Sequence, residues 1–75
     1  MSQPESVLVE AERHVREAEE RVARQATFIE KLERDGHARA SEEARKLLAS
    51  FEQTLDVQRQ HLAVEREAHK GRSDP

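Results

Sequence analysis

The stretch Leu32-Glu33-Arg34-Asp35-Gly36-His37-Ala38-Arg39-Ala40-Ser41 decides the fold, because this polar break holds the only interior glycine between two long segments of helical periodicity. Glycine just past a helix end accepts the left-handed conformation that other residues resist, and Arg34 before it sits well against the helix dipole. Asp35, Gly36 and His37 therefore read as the bend of an αα-hairpin, with the His37 side chain placed to meet a last-turn carbonyl.

Upstream of the bend, Leu8, Ala11, Val15, Ala18, Val22, Gln25, Ile29 and Leu32 follow one another in alternating steps of three and four, the heptad spacing of a coiled-coil seam. Ser2-Gln3-Pro4-Glu5 sets a capping hydroxyl three residues before a glutamate, with proline in the first turn, so the first helix is expected over about 4–35. Downstream, Ala44, Leu48, Phe51, Leu55, Gln58, Leu62, Glu65 and His69 continue the same spacing. Ser41 before Glu42-Glu43 reads as the cap of a second helix over about 42–69, after a bend spanning 36–41, with a start near Ala38 as the alternative. Residues 70–75, with Gly71 and Pro75, are expected to be a frayed tail.

A short bend makes the helices antiparallel and leaves two registers open. In one, Ile29 meets Phe51, Leu32 meets Leu48 and Ala18 meets Leu62. In the other, seven residues away, Ile29 meets Ala44, Val22 meets Phe51 and Ala11 meets Leu62. The first is preferred, because a Ser41 cap leaves room for a loop and the bulkiest layers then stand beside the bend.

Composition supports an elongated helical molecule. Of the 75 residues 35% are apolar and 39% charged, with two Phe and no Trp or Tyr, too polar for a globular core but usual for amphipathic helices. Disorder is disfavoured because the apolar residues are periodic and the net charge is only -3. Thirteen Lys and Arg are mixed with sixteen Asp and Glu along the chain, which argues against a nucleic-acid partner or an anionic membrane. The longest aliphatic run, Val7-Leu8-Val9, is far shorter than a membrane span or a signal-peptide core, so a cytoplasmic location is expected. No Ser/His/Asp set, Cys/His set or glycine-rich phosphate loop is present, and neither an enzymatic activity nor a cofactor is expected.

A chain this short without cysteine usually needs a partner subunit or a metal to supplement its core. Apolar residues off the two seams suggest the former. Phe28 and Ala26 flank the first seam, and Leu47, Val57, Ala63 and Val64 lie off the second, too much apolar surface to leave in water. Phe28, Leu47, Val57 and Val64 are the expected interface of a homodimer, two hairpins forming a four-helix bundle. A hetero-partner is the alternative reading of the same stripe.

The residues with chemical potential are the histidines. His61, Glu65 and His69 share one helical face, and antiparallel folding brings Glu10 and His14 towards the same end, a set of metal-competent ligands. Their Glu-x-x-x-His spacing differs from the Glu-x-x-His pairs of bundle metal sites, so a solvated rim outranks a metal centre. Gln25 and Gln58 in the seams read as polar residues that fix register.

The segments Glu12-Arg13-His14, Leu32 through His37, Leu47-Leu48, Phe51-Glu52 and Thr54-Leu55 resemble a group of short uncharacterised bacterial helical-hairpin proteins with an Asp-Gly-His bend. The likeness spans most of residues 12–62, and the bend is its distinctive part. It implies a hairpin in a bacterial cytoplasmic setting and no assigned activity. Together these features point to a non-enzymatic, self-associating hairpin that binds a protein partner as a small regulator or adaptor. The alternative is a small metal-binding or histidine-dependent sensory protein.

Overall fold

The computed structural model describes residues 6–73, and among these the chain forms two α-helices, α1 (Val7–Arg34) and α2 (Ala38–Ser73), packed against each other as a hairpin. The molecule is long and thin, with extents of 60 × 28 × 13 Å.

The start of α1 is set by Ser6, whose backbone is extended and whose side chain accepts a hydrogen bond of 3.1 Å from the Val9 N–H. That satisfies one of the orphan donors of the first turn. Ser6, expected inside the first helix, is instead its extended cap, and α1 begins at Val7. The anticipated Ser2 cap lies outside the described residues.

At the other end α1 closes on a Schellman motif. The His37 N–H donates to the Leu32 carbonyl at 2.9 Å and the Gly36 N–H to Glu33 at 3.2 Å, with Gly36 at a φ of 79°. The task expected of the His37 side chain is thus performed by its backbone. His37 also opens the second helix, since its carbonyl accepts the Ser41 N–H at 2.9 Å. The bend is therefore residues 35–37 rather than 36–41, and the start near Ala38 is the correct one. Ala38, Arg39 and Ala40 are good helix formers with no reason to be a loop, and Ser41 lies inside α2, only 4% exposed. The far end also departs from expectation, because helix continues to Ser73. Gly71 is not in the left-handed region, and a glycine inside a helix costs only about 1 kcal/mol relative to alanine.

The shorter bend brings the second of the two registers. Buried residues fall in couples at matching heights, Ala11 with Leu62, Ala18 with Leu55 and Ile29 with Ala44, and buried Ser41 stands level with half-buried Leu32. The Gln25 side chain confirms it by donating a 2.9 Å hydrogen bond to the Ala44 carbonyl. In the other register Ala44 would stand eleven residues from the level of Gln25, about 16 Å along the helix and out of reach. In the observed one the offset is about one turn.

Packing explains why the expectation failed. The rejected register stacks Ile29 on Phe51 and Leu32 on Leu48 and leaves alanines for the far layers, so the helices would have to splay. The observed register sets a small residue against a large one in layer after layer, which keeps two straight helices at an even spacing. Leu8, Val15, Val22, Leu32, Leu48 and Phe51 are half-buried along the same seam. At this register residues 67–73 of α2 run on past the start of α1.

Candidate interaction surface

The a/d seam divides each helix surface, and the hairpin consequently has two broad faces. On one face the Glu19 carboxylate meets the Arg59 guanidinium at 3.3 Å, and Glu33 meets Arg45 nearer the bend. Glu12, Arg16 and Arg66 crowd the same surface around a shallow depression floored by Val15, Leu62 and Ala63. Ala63 therefore does not share a stripe with Val57 and Val64, and half-buried Ala26, which precedes Thr27 on the Glu19 and Glu33 side of α1, does not share one with Phe28.

The opposite face is built from the residues immediately before those of the seam. On α2 they are Leu47, Ser50, Thr54, Val57, His61, Val64 and Ala68, all exposed and none of them Asp, Glu, Lys or Arg. Phe28, Leu47, Val57 and Val64 expose 49, 47, 61 and 64% of their surface, and by helical phase all four belong to this face. Phe28 and Leu47 stand at nearly the same height beside the bend, while Val57 and Val64 continue the stripe along α2. Exposed Val7 stands at the far end of α1 on the same face.

Midway along this face His14, Glu17, Ala18, Arg21, Thr54 and Gln58 line a shallow depression. The Arg21 guanidinium lies 5.7 Å from the Phe51 ring centroid, a cation–π contact that covers the half-buried ring from this side. Gln58 stays in the seam as anticipated and is half-buried, and Gln25 donates the inter-helix hydrogen bond to the Ala44 carbonyl.

The histidine set does not converge on a centre. His61 and His69 are exposed on α2, Glu65 is half-buried in the seam, and His14 makes a 3.9 Å contact with Glu10 of its own helix. Among the described residues no group of three or more His, Asp or Glu is arranged to hold a metal ion. Heptad phase explains why: His61 lies on the face of the uncharged α2 row, whereas Glu65 and His69 occupy seam positions, and the register brings Glu65 level with Leu8. His37 is exposed at the bend, far from the others.

Among the described residues no helix is long and apolar enough to cross a membrane. No family model matches the chain, and neither a curated protein nor a solved structure matches it.

Proposed function

We propose that the protein is a non-enzymatic, self-associating helical hairpin whose working surface is the face that carries the uncharged row of α2, offered to a second copy and, in that assembled form, to a protein partner as a regulator or adaptor. The observation that carries this reading is the exposure of Phe28, Leu47, Val57 and Val64 along one side of a molecule whose buried apolar residues form a single seam. A two-helix hairpin buries little, and pairing two of them is the usual way for short amphipathic helices to reach a stable core. The broad face of a body 60 × 28 Å exceeds the roughly 800 Å2 per partner of a standard protein interface.

Light scattering at micromolar concentration, with circular dichroism on the same sample, tests the reading. The expected result is twice the 8.6 kDa chain mass with high helicity and a melting temperature that rises with concentration. A helical species of single-chain mass with a sharp, concentration-independent transition would contradict it.

A further inference from the structure

We infer that the second copy packs on the face that carries the uncharged row of α2, about a two-fold axis crossing the helices, so that α2 lies antiparallel on α2 and α1 antiparallel on α1. This rests on the self-association proposed above and specifies its geometry. The first observation is angular. Every stripe residue precedes a seam residue by one, so the stripe is turned from the seam by about 100°. That is close to the right angle between the two neighbours that each helix of a four-helix bundle touches. A stripe in this phase is matched to a partner hairpin laid flat on the first.

The second observation is charge. Two copies of one face can meet about a two-fold axis in two ways. An axis along the helices lays α1 on α2 and would seat Val57 and Val64 at the heights of Glu17 and Glu10, burying carboxylates against valine without compensation. An axis across the helices lays like on like. The uncharged stripe of α2 then meets itself, with Leu47 of one copy beside Val64 of the other and Val57 beside Thr54.

The stripe of α1 is polarised to suit the same arrangement. Glu10 and Glu17 occupy its first half, and Arg21, Arg24 and Lys31 its second. Antiparallel self-pairing sets Glu10 of each copy beside Arg24 of the other, and brings Glu17, which lies close to the axis, within a turn of the other copy's Arg21. The two pairings also agree on where the axis runs. For α2 it passes between Thr54 and Val57, which stand level with Glu17 and Ala18 of α1, and Thr54, Glu17 and Ala18 line the central depression. About that axis Phe28 of one copy reaches Val7 of the other, joining the remaining exposed apolar residues of the face.

The chain has no cysteine, so two double variants of the full chain read the geometry directly with a short bis-maleimide linker. Leu47→Cys/Val64→Cys is expected to shift most of the chain from 8.6 kDa to a covalent species of twice that mass, because the two positions meet only between copies. Phe28→Cys/Leu47→Cys is expected to stay at single-chain mass, its two sites being neighbours within one hairpin. Covalent dimer from the second variant but not the first, or from neither while light scattering still gives a dimer, would overturn this arrangement and leave self-association standing. Single-chain mass by light scattering for the unsubstituted protein would overturn both. All three positions are exposed, and circular dichroism checks that each variant keeps its helicity.

Discussion

On one face of the hairpin Glu19 reaches Arg59 and Glu33 reaches Arg45, whereas on the other α2 presents a row from Leu47 to Ala68 without a formal charge. Both faces belong to the same two helices and flank the same seam. The difference teaches that the residues that hold the hairpin together and the apolar residues it leaves exposed are separate sets. Cross-helix ion pairs between side chains that are about half exposed contribute little stability in water, but they make their face a poor place for an apolar partner. Exposed valines contribute nothing to the isolated hairpin and have value only once something covers them.

That division can be attacked at the seam, at the bend and on the charged face. The largest effect belongs to the seam, which both faces share. Leu55→Ala empties the layer opposite Ala18, where neither helix has another large side chain to fill the space, and is expected to cost about 2–5 kcal/mol. Chemical denaturation measures it, and a loss below the lower bound would mean that the seam is looser than the burial of Leu55 implies. Gly36→Ala comes next. The space around Gly36 is open, so the cost is conformational, about 1–2 kcal/mol for an alanine held at a φ of 79°. An unchanged denaturation midpoint would show that the bend relaxes, and with it the basis for the register. Smallest is Glu19→Gln on the charged face, expected to cost no more than about 1 kcal/mol and to leave the molecular mass alone. A large loss of stability or a change of mass would mean that this face, not the other, is the one in use.

Much of this organisation was legible in the sequence because it is carried by period. The two seams, the hairpin and the exposure of Phe28, Leu47, Val57 and Val64 follow from steps of three and four and from Gly36. What was not legible was a matter of competing local signals. Ser41 before Glu42-Glu43 has the chemistry of a helix cap, and only tertiary packing against Leu32 reveals it as a small seam residue within α2. With the bend misjudged by a few residues, the register moved by a full heptad, since heptad patterns tolerate shifts of seven and nothing smaller. The deciding signal was present as the complement of sizes across the seam, Ala11 to Leu62, Ala18 to Leu55 and Ala44 to Ile29. The grouping of Ala26 and Ala63 with the stripe failed for a related reason. Off the seam is not one direction but two, and which side a residue takes depends on whether it precedes or follows its seam neighbour.

The contrast between the faces is tested most directly by placing the same charge on each and weighing the product. Val57→Lys lies in the uncharged row, and Ala63→Lys, six residues further along α2, lies beside Arg59 and Arg66 on the ion-paired face. Light scattering is expected to show single-chain mass for the Val57 variant and twice that mass for the Ala63 variant, with equal helicity. Two dimers, two monomers, or loss of the dimer in the Ala63 variant alone would contradict the assignment of self-association to the face of the uncharged α2 row.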